Sequence, residues 1–523
     1  MKKWMIASFL LSGFAGTTQA QEMVIDSINR SKFTGVHQGG DMGQFIYVPY
    51  FNTNKSDKKN FIIRQLSAQN FNEEKPLRFE LPNNYVLKGS AYNGSFYLLH
   101  FYNDAAKEEV LLLTNGDNIV KKKTHKSTDE TYYLFAGSSP EDFIVVSTDK
   151  KGNYKVKQVG ADLESKWEKK FAAPTGTDRQ FISISNSMGR MEIIRKDNKA
   201  GNKYEFSAHA LQMDNGEDIA QNVFEKDKNK LYPTFFSEKE GMKFTGGYYF
   251  SEGGYSGQPL GVFFAVISPD GRMEQIAQVP YSQVIEDLKN TVGAQISNQN
   301  TSIIFTGGYI AHETQQFIMG GQVITRQDGE NNTTINFGDF VSVKFSVENQ
   351  SFKGAASTAY DGSSIVIKGN HAKTNTLDLG MWMNNSSLIP FSHFMNTPGM
   401  PIIAYKDFGK EGQVNICFRP LGIKNDTTRP ECMMLYRERV QPEPYIFSGN
   451  IMERPVQYVG IIPSVHDIGN VATYELTNNL LLLVKTPLPH LDKLMRPASP
   501  DEMGHHEPNH EEPPAPEQPE QKE

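Results

Sequence analysis

The strongest constraint on the fold is a unit of four short strands that recurs about every 47 residues. Its clearest copy runs from Thr131 to Phe171. There Tyr132-Tyr-Leu-Phe-Ala136, Phe143-Ile-Val-Val146, Tyr154-Lys-Val156 and Trp167-Glu-Lys-Lys-Phe171 are separated by turns rich in Ser, Pro, Asp and Gly. Aromatic and β-branched runs of this length, punctuated in this way, signal antiparallel hairpins. A shift back by 47 places Tyr85-Val-Leu87 on Tyr132 and Phe96-Tyr-Leu-Leu99 on Phe143, and a shift forward by 48 brings Phe181 and Met191-Glu-Ile-Ile194 into line. Val110 to Leu113 and Tyr204-Glu-Phe206 fall on the third strand, and a looser copy begins at Phe45. The second strand is apolar at consecutive positions, so it is buried on both faces. A single such sheet cannot cover itself, and the units must stack around an axis. The expectation is an all-β β-propeller of four-stranded antiparallel blades over 21–486, seven in number, with six to eight allowed.

Beyond Val223 the units lengthen. Phe244-Thr-Gly-Gly-Tyr248 and Phe305-Thr-Gly-Gly-Tyr309 are identical and 61 residues apart, and they read as equivalent first strands of successive units. Between them, about 282–292, lies the one persuasive helix: Val284, Ile285, Leu288 and Val292 share a face, Ser282 caps the start and Gly293 ends it. Each unit carries an insertion after that first strand, 251–259 and 311–337, and the two are expected side by side on one rim. Tyr255, His312, Glu313, Arg326 and Asp328 are the candidate ligand contacts there, against the plainer reading of an extra hairpin guarding a sheet edge.

After Ala356 the beat is lost. Ser364–Ile367, Met400–Ala404, Val414–Phe418, Cys432–Tyr436 and Leu480–Val484 still read as strands, either degenerate blades after 357 that close the ring or a small separate β domain. Met23-Val-Ile25 is expected to pair with the last of them. Cys417 and Cys432 face each other across a hairpin, and the choice lies between a disulfide and two buried thiols.

Met1-Lys-Lys, a short apolar core and Thr18-Gln-Ala20 form a secretory signal with cleavage expected after Ala20, so the protein is expected to be secreted or periplasmic. The core is too short for a membrane span, and no later stretch approaches the ~20 apolar residues one needs. From 487 onward Pro, Glu and His dominate, and the tail is expected to be disordered. The net charge of −7 is located there: eight acidic residues after Ser499 face Lys522 alone. The body is close to neutral, and the basic run Lys121–Lys126 reads as a solvated strand edge. Nucleic-acid binding therefore has no support.

Catalytic signatures fail one by one. His506-Glu-Pro-Asn-His510 matches the zinc-protease pattern in letters, but Pro508 breaks the helix that would align both histidines. Gly254-Tyr-Ser-Gly-Gln258 lacks the last Gly of a nucleophile elbow, and Ser147–Gly152 and Ser268–Gly271 are β-turns whose spacing misses that of Asp-boxes. No metal site, phosphate loop or dinucleotide fingerprint is found, and no cofactor is expected. The signal, the 47-residue unit and turns such as Gly160–Trp167 together resemble the uncharacterised secreted propeller-like proteins of the Bacteroidota type over about 33–360. That resemblance implies an envelope or secreted location and no particular activity. The first expectation is a non-enzymatic binding or scaffold propeller for a protein or glycan. The alternatives are an enzyme acting on envelope polysaccharide or peptide at the axial mouth, and a structural subunit tethered by its acidic tail.

Overall fold

The computed structural model describes residues 21–39, 45–54, 58–73, 76–115, 118–127, 130–187, 189–199, 203–239, 242–255, 259–268, 270–288, 300–311, 314–360, 362–397, 400–408, 414–420, 431–434, 444–447, 451–452, 459–462 and 470–487. The expected signal, the expected tail and the His506–His510 pattern lie outside the described residues, as do 421–430 between the cysteine strands.

The described strands form an all-β propeller whose sheets follow one another in chain order. Among the described residues there are eight sheets, within the six to eight allowed, and seven of them are wholly antiparallel. The second sheet is Tyr85–Tyr92, Tyr97–Asn103, Glu108–Thr114 and Ile119–Lys126. The third is Thr131–Ala136, Phe143–Thr148, Tyr154–Val159 and Ser165–Phe171, and the fourth Asp178–Ser187, Arg190–Lys199, Lys203–Gln212 and Asp218–Val223. Tyr85, Tyr132 and Phe181 thus open three successive sheets, each on the first strand, as the repeat predicts.

Packing shows why the units must stack. On the second strand of the third sheet, Phe143 and Val145 enter one apolar cluster with Leu98 and Leu111 of the sheet before. Ile144 and Val146 enter another, with Ile193 and Leu211 of the sheet after. Alternate residues of one strand therefore serve two interfaces, which is why the run is apolar at every position. Outer strands follow the opposite rule: Ile119–Lys126, with its four lysines, is solvated almost throughout.

The ring is closed by the N-terminus. Gln21–Ile25 pairs antiparallel with Leu480–Pro487 in the eighth sheet, Met23 opposite Leu483. Lys485, buried, reaches the backbone carbonyls of Ala68 and Gln69 at the first sheet. Ile25 and Leu483 share a cluster with Ile46 and Val48.

Two sequence expectations are corrected. The Phe-Thr-Gly-Gly-Tyr segments are not equivalent: Thr301–Ala311 is the first strand of the sixth sheet, but Met242–Phe250 lies behind Asn229–Lys239, the strand that packs on Thr301–Ala311. What they share is an interface. A side chain at Gly246 would overlap Met319 and Phe235, and one at Gly308 would overlap Phe264. Gly246 and Gly308 therefore sit where the fifth and sixth sheets approach closely. The second correction concerns helices. The expected one is α1, Tyr281–Leu288, with Val284 and Leu288 buried; its continuation to Val292 lies outside the described residues. A further helix, α2, spans Thr376–Asn385 with seven buried residues. A helix apolar on all sides shows no amphipathic period. Its only outward sign was Asn375, which caps the helix by accepting from the Leu377 N–H, with Asp378 in the first turn.

Candidate functional site

Of the candidate contacts in the two insertions, Tyr255 is buried, and Arg326 and Asp328 are engaged with each other. Tyr255 is 4% exposed. Its ring stacks on Tyr204 at 4.4 Å and its hydroxyl donates to the Leu231 carbonyl at 3.1 Å. Arg326 and Asp328 do meet, as an ion pair of 3.1 Å at the end of Gln316–Asp328. The Arg326 guanidinium donates to the carbonyls of Thr374 at 2.6 Å and Ala372 at 3.3 Å, and Asp328 accepts from Thr333 at 2.9 Å. This pair fastens the segment that leads into α2. The long insertion proves to be mostly regular sheet, since Gln316–Asp328 and Asn332–Ser346 form one extended hairpin. His312 and Glu313 lie outside the described residues.

The helix so delivered rests on Asp178–Ser187, Asn229–Lys239 and Thr301–Ala311, strands of the fourth, fifth and sixth sheets. Asn385 donates to the Ile182 carbonyl, Asn384 to the Thr234 carbonyl, and Gly380 is packed against Ile304. Asp378 receives both its oxygens' contacts from Lys196, at 2.6 Å each, and a hydrogen bond from the Tyr232 hydroxyl. The Lys196 ammonium also lies 4.0 Å from the centre of the Tyr204 ring. Asp378, the one charged residue of α2, is thus engaged in holding the helix against those sheets.

Arg195, next along the same strand, serves the opposite face. It donates to the Tyr154 hydroxyl at 2.8 Å; that hydroxyl lies 2.6 Å from His209 Nδ1, and His209 Nε2 lies 2.6 Å from Asp218. Burial pushes the Tyr154 phenol up to about 12 and lowers His209. Tyr154 is 1% exposed and His209 0%, so this chain of hydrogen bonds clamps the third sheet to the fourth. A second polar cluster joins the second and third sheets: His100 is 2.6 Å from Glu109, which also accepts from Ser127 at 2.8 Å, and His125 is 3.0 Å from the Tyr132 hydroxyl. Sequence reasoning passed over both. The available signal was a histidine inside an otherwise apolar strand, as in Tyr97-Leu-Leu-His100-Phe.

A cleft of about 330 Å³ opens at the end of the third sheet, beside the turn at Asp149–Asn153. Glu130, Ser147, Lys155, Lys170 and Phe171 line it. Lys155 pairs with Glu130 at 2.8 Å, and Phe171 stacks on Tyr154 at 4.7 Å. Asp149 is spent on its own turn, accepting from the Lys151 and Asn153 amides. Cys417 and Cys432, directly opposite in register, are joined as a disulfide far along the chain from this cleft.

No family model and no curated protein matches the chain. Among solved structures, a quinohemoprotein alcohol dehydrogenase from Comamonas testosteroni is similar at 8% identity, over 90% of this chain and 77% of that one, with a TM-score of 0.41. A europium-containing methanol dehydrogenase is similar at 10% identity, over 88% and 94%, with a TM-score of 0.38. For a prolyl endopeptidase the figures are 8% identity, 74% and 46%, and 0.33, so this chain spans less than half of that protein's length. Likeness at this level carries no argument about chemistry.

Proposed function

We propose that the protein is an extracytoplasmic, non-enzymatic propeller that holds a protein or glycan on its surface. The observation that carries this reading is α2. It lies against strands of three neighbouring sheets, where we place the mouth at which a propeller enzyme would gather acids and bases from several blades, and its Asp378 is already engaged by Lys196 and Tyr232. Surface binding is then the use left to a rigid β scaffold. A disulfide between neighbouring strands suits an oxidising compartment, in keeping with the signal at the N-terminus.

The test uses the mature chain from Gln21. It is presented to arrayed glycans and envelope proteins, and in parallel to glycoside, ester and peptide substrates. Saturable capture without turnover is expected. Turnover of any substrate that copurifies with the folded protein through successive columns would overturn the reading. N-terminal sequencing of the exported form checks the compartment, with Gln21 expected as the first residue.

A further inference from the structure

We propose that residues 488–496 fold back as a short helix onto the outward face of the eighth sheet and latch the strands that close the ring. The latch is independent of the ligand-binding function proposed above. Side chains directly opposite on an antiparallel pair share a face. The register therefore puts Val24 with Leu482, and Glu22 with Val484, on one face of Gln21–Ile25 and Leu480–Pro487. Leu480 joins them by alternation along its strand. The other face, with Ile25, Leu481 and Leu483, is buried against the first sheet. On the outward face, cover stops short. Thr473 and Glu475, one strand further in, are buried, whereas Val24 is 55% and Leu480 44% exposed, and Leu482 and Val484 are half-buried. Four aliphatic side chains thus adjoin on the last two strands of the sheet. The edge strand of the second sheet, by contrast, carries four lysines.

The chain itself supplies the cover. It leaves the described residues at Pro487, the last residue of the strand that bears most of the patch. The nine residues that follow differ from the Pro- and Glu-rich remainder of the tail. Leu488, Leu491, Leu494 and Met495 recur at the spacing of one helical face, with Asp492, Lys493 and Arg496 off it. Pro489 suits the first position of a helix, Lys493 and Arg496 suit its last turn, and Pro497 ends it. Lengths agree. Residues 489–496 span ~12 Å as a helix, and Val484 to Leu480 span ~13 Å of strand. Reach agrees too, because the patch lies about 10–23 Å back along the strand from Pro487, and four to eight residues of chain cover about that distance. A helix this short does not hold by itself in water. Each apolar face is the cover that the other needs.

The test is amide hydrogen exchange of the mature protein, read by mass spectrometry at Gln21–Ile25 and Leu480–Pro487. A chain ended at Ser499 keeps the segment and is expected to exchange like the parent. One ended at Pro487 is expected to exchange at least tenfold faster there. Full-length L491S/L494S, which leaves every described residue in place, is expected to do the same. V24C/L494C is expected to form a cross-link, and V223C/L494C, whose first cysteine is exposed on the fourth sheet, to form none. The inference is overturned if L491S/L494S exchanges like the parent, or if the two cysteine pairs cross-link equally or not at all. It is also overturned if protection of these strands in the parent falls on dilution, since a second copy is then the cover. Capture of glycans or proteins is measured separately, so loss of the latch leaves the binding function standing.

Discussion

Buried charge in this propeller is concentrated on one strand. Arg195, Lys196 and Asp197 follow one another on Arg190–Lys199 and all are buried, with Asp197 held by a bidentate contact from Arg179 at 2.6 and 2.9 Å. Because a strand alternates its faces, Arg195 joins the clamp to the third sheet and Lys196 the clamp to α2. Removing one partner of a buried pair leaves the other uncompensated. K196M is therefore expected to lower unfolding free energy by about 3 kcal/mol in urea titration. K196M/D378L, which removes both charges, is expected to recover most of that loss. Gly247 presents the other residue-scale constraint. It lies at φ 156° opposite the bulge between Pro233 and Phe235, and a Cβ there would meet the Tyr232 carbonyl oxygen. G247A is expected to cost about 2 kcal/mol or more, read by the same titration. Little of this was legible beforehand. Tyr255 was singled out for its loop, yet its burial depends on Tyr204 and Phe206, which lie some fifty residues earlier in the chain.

Strands were far easier to read than their places. The second strands of the second, third and fourth sheets declared themselves, because burial on both faces demands consecutive apolar residues in a run of strand length bounded by turns. Met242–Phe250 was recognised as a strand but set in the wrong row, since five matching residues report local packing and say nothing of which neighbour hydrogen-bonds on either side. The closing strand was placed correctly, and it carries a clear expectation. Deleting 21–32 bares the edge of Leu480–Pro487 and removes Ile25 and Ile28 from the core, so the melting temperature should fall by ten degrees or more on the scale of about 1 kcal/mol per few degrees. An unchanged melting temperature would contradict the closure. The disulfide acts at the same scale. It closes a separation of 15 residues, and C417S/C432S is expected to lose about 3 kcal/mol, checked by parallel unfolding of the parent with and without reductant.

At the scale of the whole disc, stability depends on polar clamps lying between sheets, and two of them contain histidines. Burial lowers the affinity of both His125 and His209 for protons. A histidine kept neutral in the fold takes up protons more readily when unfolded, so its contribution is intact above its unfolded value of about 6.5 and declines as pH falls below it. Melting temperature is expected to drop from pH 7.5 to 5.5, with the steepest part under about 6.5, and H125Q is expected to shallow that drop. A flat profile would show that these interfaces do not sense acid.

The repeat, the apolar second strands and the polar rims follow from local rules of periodicity and turn chemistry, and they sufficed to specify a propeller of stacked antiparallel blades. Where α2 lies, which histidines face which carboxylates, and that Lys155 and Lys170 stand together beside a cleft depend on partners far apart in sequence. Those positions are set by how neighbouring sheets pack and pair in register, and one chain read along its length contains no measure of either.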